Sequence, residues 1–344
     1  MNKSGINVTT QIPSFAKINT AVDKGGELAK ELENKDLDYR YKLIMLTPEH
    51  YPNFIEDGKI NIGILFWEVL GVDKRWVKYM NMMDEIWTPS KTYAETFIKS
   101  GVKVPVKVIK QPYTEHIVQE PFKTTLPDNT FKFYSIFQWT ERKNPKGLLN
   151  TYWKTFEYVD DVCLILKTYR GGFIDSEVNA IRKDIETWKK QLDIKKFPKT
   201  FLIPYEMSEK EIHRLHDTGD CFVSAHRGEG WGYPQMEAMS AGKPIISTNF
   251  GGIHELLSKD FSWPIGFEYV PVEGMDWIPW YNNTQKWADI NTDDLSSSMW
   301  EAYTRREKTK KMGQLAKEFV ENNLNLSIVG QEIKELLCDC VLDK

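Results

Sequence analysis

Residues Cys221 to Glu255 have the sequence CFVSAHRGEGWGYPQMEAMSAGKPIISTNFGGIHE, and they carry the most specific pattern in the chain. The segment begins as an apolar strand and passes into a loop with three glycines among the five residues 228–232. A helix is predicted next, because proline is favoured at early helical positions and Gly242 stands where glycine commonly ends a helix. A second apolar strand and a glycine pair follow. The pattern predicts a βαβ unit with a glycine-rich loop before its helix.

Short apolar runs alternate with helical stretches along most of the chain on both sides of this segment. The runs are almost continuously apolar, which is typical of strands that are buried on both faces of a parallel sheet. The sequence therefore predicts an α/β protein with two Rossmann-like, doubly wound sheets. The predicted strands are Ile6–Thr9, Tyr41–Leu46, Ile60–Phe66, Glu85–Thr88, Val106–Lys110, Phe131–Phe137, Val162–Lys167, Thr200–Ile203, Cys221–Ala225 and Pro244–Asn249.

Two domains and a terminal helix are expected. The segment Gln111–Asn129 contains three prolines and no helical period, which favours a connection between domains. Residues 1–120 are predicted to form an N-terminal Rossmann-like domain, and residues 121–325 a C-terminal domain. Residues 326–344 are predicted to form a helix that packs back on the N-terminal domain.

Composition excludes several classes of protein. The chain has 344 residues and a formal net charge of −4, with 41% hydrophobic residues, so it has ample material for packed cores. Its balanced charge argues against binding nucleic acid or an anionic membrane by bulk electrostatics. No apolar run reaches about 18 residues and no signal peptide is evident, so we expect a cytoplasmic protein without stable membrane insertion. Four cysteines are too few for a disulfide framework.

The glycine loop and its helix predict a phosphate-binding site beside carboxylates that can accept hydrogen bonds from ligand hydroxyls. A loop that leads into a helix N-terminus presents free N–H groups and the positive end of the helix dipole. Glu229 lies in the loop, and Glu237 lies one turn after Tyr233 on the same face of the helix. Carboxylates accept hydrogen bonds only, and so they suit the hydroxyls of ribose and of a sugar. The alternative is an ordinary βαβ turn with surface glutamates.

The segment GEGWGYPQMEAMSAGKPIISTNFGGIHE resembles the donor-site motif of retaining glycosyltransferases of the GT-B fold, family 4, which use nucleotide-sugar donors. Their motif has two glutamates separated by seven residues, in a context like GEGWGxPxxEAMAxGxPVIxTxxGGxxE. FQWTERKNPKGLLNTYWKTF (Phe137–Phe156) is similar to the family's basic loop, and ILFWE with DEIWTPS is similar to its acceptor-side strand ends. The resemblance covers about Tyr41 to Leu337. It implies two Rossmann-like domains that face a cleft, with residues 1–120 on the acceptor side and residues 121–325 binding the nucleotide-sugar donor.

The resemblance implies roles for the glycine loop and its helix. Glu237 would bind the ribose of the nucleotide. Glu229 would bind hydroxyls of the donor sugar, and the loop amides of Gly230, Trp231 and Gly232 would close on the donor.

The resemblance also implies how the diphosphate and the base are held. Arg142 and Lys143 would neutralise the leaving diphosphate, as cationic side chains must where no metal does so; the alternative is a solvated turn. Pro204 and Tyr205 would lie beside the base. His226 and Arg227 directly precede the glycine loop, and one of the two is a further candidate for contact with phosphate or sugar.

The N-terminal domain departs from the family pattern. The family usually begins with a strand, a glycine-rich turn and a helix, whereas Ile6–Thr9 is more similar to a later strand, so the N-terminal domain is expected to be shortened. Where many members have a histidine near the donor sugar, this chain has Trp67 and Glu68. Glu68 is predicted to meet an acceptor hydroxyl. The alternative is that Glu68 caps the turn before Asp73.

The sequence thus predicts a glycosyltransferase that needs no cofactor beyond its nucleotide diphosphate-sugar donor and no metal. The D-x-D pair Asp36 and Asp38 lies in a charged connection and is expected to be solvated. Acceptors left open are a glycan, a lipid-linked sugar, a protein and a modified nucleobase. Two other functions also stay open: a GT-B sugar-nucleotide epimerase and a non-catalytic protein that binds sugar nucleotides.

Overall fold

Two parallel β-sheets organise the chain in a computed structural model, which describes residues 5–13 and 30–339. The first sheet has four short strands, and its two central strands are almost entirely buried. Its strands are β1 (Tyr41–Ile44), β2 (Ile60–Ile64), β3 (Glu85–Thr88) and β4 (Val106–Val108). They lie in sequential order, and every neighbouring pair is parallel.

The second sheet has six parallel strands. They are β5 (Phe131–Gln138), β6 (Val162–Tyr169), β7 (Lys199–Ile203), β8 (Cys221–Ser224), β9 (Ile245–Thr248) and β10 (Ser262–Ile265). Their spatial order is β10-β9-β8-β5-β6-β7, so the direction of winding reverses between β5 and β8. Such a reversal is the mark of a doubly wound sheet, and it leaves a crevice at the carboxyl ends of the two strands.

An antiparallel hairpin joins the two sheets. Its strands are β11 (Phe267–Pro271) and β12 (Lys286–Ile290), which pair with each other outside the six-stranded sheet. The backbone of Lys286 exchanges two hydrogen bonds with Leu70 of the N-terminal domain, with N–O distances of 2.7 and 3.0 Å. The connection between β11 and β12 therefore runs along the N-terminal domain. The sequence analysis did not predict this hairpin.

Nine helices cover the sheets within the described residues. They are α1 (Lys74–Met80), α2 (Lys91–Ser100), α3 (Pro145–Thr155), α4 (Asp175–Lys190), α5 (Glu209–Thr218), α6 (Tyr233–Ser240), α7 (Thr292–Thr304), α8 (Arg306–Asn323) and α9 (Leu326–Asp339). Side-chain caps fix several starts: Ser208 and Glu211 form a reciprocal capping box at α5. Asn144 at φ +52° accepts a hydrogen bond from the Gly147 amide at α3. Asparagine tolerates this left-handed conformation better than most residues.

The last helix packs against the first sheet. Leu337 of α9 lies in one apolar cluster with Ile60, Ile62 and Trp87. The Tyr41 hydroxyl donates to the Leu337 carbonyl at 2.6 Å, and Lys110 pairs with Glu332 of the same helix at 2.8 Å. The end of the described chain thus covers the N-terminal domain.

The N-terminal residues differ from expectation. The prediction of a strand at Ile6–Thr9 is wrong: these residues do not form a strand, and within the described part of the chain the adjacent Thr10 forms an isolated bridge to Glu33. The other nine predicted strands are present. Within the described ranges, none of the helices is both long and apolar enough to cross a membrane.

Candidate active site

The candidate site lies at the carboxyl ends of β5 and β8, where the six-stranded sheet reverses its order. β5 leads into the 3-10 helix Glu141–Lys143, and β8 leads into the glycine loop, residues 225–232. The N-terminal domain reaches the same crevice, because the backbone of Glu68 lies directly against Gly228. A Cβ atom at Gly228 would overlap the Glu68 carbonyl oxygen. Glycine is therefore required where the two domains meet.

The glycine loop delivers the N-terminus of α6 to the crevice. Gly232 is the N-cap residue and has φ +94°, a left-handed conformation that glycine adopts without strain. Pro234 follows in the first turn, where its missing N–H group costs nothing. Because the N-cap is glycine, that position brings no capping side chain to the first turn. The amide end of α6 therefore offers positive partial charge at the floor of the crevice.

Glu229 and Lys143 form a buried ion pair across the switch point. Glu229 is 8% exposed, and its Oε2 accepts a hydrogen bond from the Lys143 ammonium at 2.5 Å. Burial opposes ionisation of Glu229, but the charges of Lys143, His226 and Arg142 outweigh it and lower the pKa of Glu229 to about 2. Burial lowers the pKa of Lys143, and Glu229 works against that shift. The carboxylate is therefore ionised at neutral pH and fixed in position.

His226 lies beneath this pair and is fully buried. Its Nε2 lies 3.0 Å from the Phe250 carbonyl oxygen and its Nδ1 lies 3.0 Å from the Ser224 hydroxyl. These partners fit a neutral ring with the proton on Nε2. Burial lowers the pKa of His226 to about 4. The ring supports the loop from behind, and its partners occupy both nitrogens.

Arg142 links the basic loop to both domains. Its guanidinium donates to the Gly228 carbonyl at 3.0 Å and lies 3.9 Å from the Glu68 carboxylate. Only 15% of the Arg142 side chain is exposed, so this cation is held in the crevice rather than in solvent. Both predicted cations, Arg142 and Lys143, thus lie beside the glycine loop.

Glu68 contacts the C-terminal domain and does not cap a helix of its own domain. Its Oε2 accepts a hydrogen bond from the Tyr281 hydroxyl at 2.6 Å. Asp73 itself caps α1 by accepting from the Arg75 amide. The alternative in which Glu68 caps that turn is therefore wrong. The carboxylate stands in the crevice between Tyr281 and Arg142.

Two tyrosines complete the site, and the sequence analysis missed both. Tyr281 belongs to the connection between β11 and β12, and Tyr93 belongs to α2. The buried Tyr93 hydroxyl donates to the backbone carbonyl of Glu229 at 2.9 Å. Each tyrosine joins one domain to an acidic residue of the other. The ILFWE and GEGWG motifs carry no information about these partners, because both tyrosines are distant in sequence.

Glu237 occupies a more open position than Glu229. It lies in α6 with 35% of its side chain exposed, and its Oε2 is 3.9 Å from Nε2 of the buried His216. The Nδ1 atom of His216 lies 2.9 Å from the Tyr134 hydroxyl. Glu237 therefore combines a supported position with access for a ligand.

The other predicted binding residues flank this centre. Pro204 and Tyr205 follow β7, the edge strand, and the Tyr205 carbonyl accepts from the buried Lys167 ammonium at 2.6 Å. The Trp231 ring is buried and its Nε1 contacts the Met236 sulfur, so this residue offers the crevice its backbone and not its ring. Gly230 lies against the Trp67 carbonyl of the N-terminal domain.

The D-x-D pair, Asp36 and Asp38, lies apart from the site. The Asp38 side chain is fully exposed and lies 3.7 Å from the Lys59 ammonium. Across residues 5–13 and 30–339, no group of three or more His, Cys, Asp or Glu residues is arranged to hold a metal ion.

Comparison with known proteins agrees with this architecture. The chain is similar to sucrose-phosphate synthase from Thermosynechococcus elongatus, with a TM-score of 0.63 and 12% identity over 88% of this chain and 74% of that chain. HepE from Anabaena, solved with UDP and glucose, gives a TM-score of 0.59 and 15% identity over 82% of this chain and 72% of that chain. TarM from S. aureus, solved with UDP among its ligands, gives a TM-score of 0.60 and 12% identity over 84% of this chain and 53% of that chain. The chain has the GT-B fold. The fold prediction is confirmed.

The match to a family model lies almost entirely within the C-terminal domain. The family model described as glycosyl transferases group 1 matches residues 118–268, which include both cations and both glutamates of the predicted donor site. The chain is 31% identical over 68 residues to sulfoquinovosyl transferase SQD2 of Arabidopsis thaliana, and 28% identical over 146 residues to sucrose synthase 2 of Pisum sativum. These matches cover 20% and 40% of this chain but only 13% and 17% of the relatives.

Proposed function

We propose that the protein is a glycosyltransferase that moves a sugar from a nucleotide diphosphate-sugar to an acceptor hydroxyl with retention of configuration. One observation carries this proposal: the ionised Glu229 is paired with Lys143 beside Arg142 and the open N-terminus of α6, all at the switch point of a GT-B crevice. A carboxylate that can accept hydrogen bonds from sugar hydroxyls and groups that can donate hydrogen bonds to phosphate lie together there.

The order of the strands supports an extended donor. The glycine loop follows β8, whereas Pro204 and Tyr205 follow β7, and β5 and β6 lie between those strands. Three strand spacings correspond to about 14 Å. A nucleoside diphosphate-sugar lying along this edge would place its diphosphate at Arg142 and Lys143 and its base at Tyr205. The half-exposed Glu237 would accept hydrogen bonds from the ribose.

The charges of the site suit the departure of a nucleoside diphosphate. Negative charge on the leaving phosphate grows as the glycosidic bond breaks, and fixed cations in a water-poor crevice stabilise it without reorganising. Arg142 and Lys143 are both largely buried and are already oriented by the glycine loop. Closure of the two domains over the donor would exclude water and limit hydrolysis.

Retention would proceed on one face of the sugar. A double displacement needs a free carboxylate as nucleophile close to a second carboxyl group. Glu229 is ionised but is engaged by Lys143, so it suits binding of donor hydroxyls. In the proposed mechanism the acceptor hydroxyl attacks the anomeric carbon from the side on which the diphosphate leaves. The acceptor proton passes to the leaving phosphate oxygen, while Glu68 orients the hydroxyl.

A screen of nucleoside diphosphates followed by turnover assays tests the function. UDP is the first choice because HepE and TarM were solved with it. A ligand that binds only the folded state raises the melting temperature, so UDP, GDP, ADP, CDP and TDP can be ranked by thermal shift. The matching nucleotide-sugars are then incubated with and without an acceptor panel. Transfer supports the proposal, altered donor without acceptor indicates an epimerase, and tight binding without turnover indicates a binding protein.

The ribose role of Glu237 predicts a loss of nucleotide affinity. Glu237→Ala should weaken binding of the nucleoside diphosphate by about 1–3 kcal/mol, because a charged hydrogen bond is lost. The helix should persist, since alanine is a good helix former. Isothermal titration measures the change, and Glu318→Ala, an exposed glutamate of α8, serves as the control. Unchanged affinity in Glu237→Ala would remove Glu237 from the ribose.

The proposed metal independence predicts the effect of chelation. With excess EDTA, transfer should continue at a rate no more than a few-fold lower, because Arg142 and Lys143 supply the positive charge that a metal would bring. Initial rates in EDTA, Mg²⁺ and Mn²⁺ provide the measurement. Complete loss in EDTA with recovery in Mn²⁺ or Mg²⁺ would contradict this mechanism and return attention to Asp36 and Asp38.

A further inference from the structure

A second cavity, of about 400 Å³, opens beside the proposed donor site. It lies past the carboxyl ends of β5 and β6, and α4 forms one of its walls. The connection between β11 and β12 contributes Trp277. The volume falls within the range of about 300–1,000 Å³ that is usual for small-molecule sites. None of the residues assigned above to the donor lines this cavity.

Three tryptophans line the cavity: Trp139 is 5% exposed and packed between Phe137 and Trp188, whereas Trp277 is open to solvent. Trp139 and Trp188 stack with ring centroids 5.5 Å apart and an interplanar angle of 8°. Trp277 is 64% exposed, whereas Trp280, three residues later, packs on Trp76 of the N-terminal domain. A large apolar side chain left in solvent at the mouth of a cavity is informative, because tryptophan is strongly buried on average. The exposed indole offers a flat apolar surface to a ligand.

Polar groups around the rings are already held in place. Asp184 accepts hydrogen bonds from Trp139 Nε1 at 3.0 Å and from the Arg170 guanidinium at 2.7 Å. Glu177 accepts from the Gly172 amide at 2.5 Å. Carboxylates fixed in this way retain free lone pairs, since each can accept about four hydrogen bonds. The cavity therefore presents oriented acceptors beside apolar rings.

This combination matches a neutral carbohydrate. A pyranose ring has apolar C–H faces, which pack on indole, and a belt of hydroxyls, which donate to carboxylates. Three carboxylates line the cavity (Glu141, Glu177 and Asp184) against one guanidinium, that of Arg170. Arg170 pairs with Asp184 and Arg227 pairs with Glu141, so of the three carboxylates only Glu177 is without an ion pair among the described residues. Its negative charge disfavours phosphate groups, which argues against a second nucleotide or an anionic lipid headgroup. The polar lining also disfavours an acyl chain.

Two segments of the chain connect the lining of the cavity with the proposed catalytic site. Glu141 lines the cavity and begins the 3-10 helix that carries Arg142 and Lys143. Trp277 precedes Tyr281 by four residues, and Tyr281 bonds to Glu68. A ligand that occupies the cavity is thus adjacent to the residues proposed to act on the acceptor. We infer that the cavity is a subsite for a sugar residue of a glycan acceptor. This inference rests on the proposed function, and it narrows the acceptor of that function to an oligosaccharide.

An array of immobilised neutral oligosaccharides tests the subsite. The full-length protein is first saturated with the nucleoside diphosphate that binds it best, so that the donor site is filled. We expect binding to at least one oligosaccharide, and we expect Trp277→Ala to weaken that binding at least tenfold in a solution titration. Trp300→Ala is the matched control, because Trp300 is also exposed, at 46%, but lies on α7 away from the cavity. The affinity of Trp300→Ala for the oligosaccharide should be unchanged.

Two results overturn the subsite: an array without a bound neutral oligosaccharide, or equal binding by Trp277→Ala and Trp300→Ala. Nucleotide titrations of the same variants separate this failure from failure of the proposed function. If no nucleoside diphosphate binds the unaltered protein, the proposed function fails. If the nucleotide binds every variant equally and the affinity for the oligosaccharide does not change in Trp277→Ala, only the subsite fails. The melting temperature of Trp277→Ala should match the parent, since that residue is 64% exposed. Trp300→Ala should melt at a somewhat lower temperature, because Trp300 also packs against Phe156 and Tyr303, but it should stay folded and keep its affinity for the oligosaccharide.

Discussion

Lys143→Gln is expected to lower the kcat of sugar transfer by roughly 10²–10³-fold, the loss typical of one oriented donor to a developing negative charge. The donor KM should rise far less, because the charge on the diphosphate is greatest in the transition state. Arg142→Gln should act in the same direction. Steady-state kinetics at saturating acceptor measures both constants. An effect confined to KM would contradict transition-state stabilisation and indicate ground-state binding only.

A structural effect accompanies this substitution and needs its own control. Only 12% of the Lys143 side chain and 10% of the Glu229 side chain are exposed, so removal of the lysine leaves a buried carboxylate without its partner. Such a loss commonly costs about 3–5 kcal/mol of stability. The double variant Lys143→Gln with Glu229→Gln replaces the ion pair by two neutral amides. Its melting temperature should recover towards the parent while transfer stays low, because neither cation nor donor ligand is restored.

A second lysine of the same segment supplies a matched control. Lys146 is exposed at the start of α3, three residues after Lys143. Lys146→Gln removes the same charge from the same segment but from solvent, where the charge is screened. Its kcat should stay within a few-fold of the parent. Equal losses in Lys143→Gln and Lys146→Gln would mean that general positive charge, and not the oriented ammonium, accounts for the effect.

Local pattern explains why the glycine loop was predictable. Gly232 and Pro234 specify the start of α6 through their own backbone preferences, and these preferences are visible in the sequence. The Lys143–Glu229 pair was only half predictable. The sequence indicated two separate groups, but their contact depends on the adjacency of β5 and β8, strands separated by two others along the chain.

The remaining parts of the site arise from contacts between distant segments. β11 and β12 are joined by a long connection that carries Tyr281, and no local period distinguishes it from an ordinary loop. The proximity of Tyr93 to Glu229 depends on the docking of the two domains. The predicted strand at Ile6–Thr9 failed for the complementary reason. Its apolar run is compatible with a strand, but a strand requires a paired neighbour along its length, and the adjacent Thr10 forms an isolated bridge to Glu33.

Glu68→Gln is expected to lower sugar transfer by about 10²–10⁴-fold, the range for loss of an acid/base or positioning group. The fold should persist, because the glutamine carbonyl can still accept the 2.6 Å hydrogen bond from Tyr281. The affinity for the nucleoside diphosphate should change little, since the carboxylate belongs to the acceptor side of the crevice. Melting temperature, nucleotide titration and transfer rate are measured on this one variant. A stable variant with near-normal transfer would remove Glu68 from the acceptor site.

The position of Glu68 near Arg142 offers a competing role that the same variant distinguishes. At 3.9 Å, the carboxylate partly neutralises a cation that we assign to the diphosphate. If neutralisation were its only role, Glu68→Gln would leave the crevice more positive, and the nucleoside diphosphate would bind more tightly while transfer was maintained. If Glu68 orients the acceptor, transfer falls while nucleotide affinity stays level. Tyr281→Phe adds an independent check, because it releases the carboxylate without changing its charge: transfer should fall again, by less than in Glu68→Gln, with nucleotide affinity again unchanged.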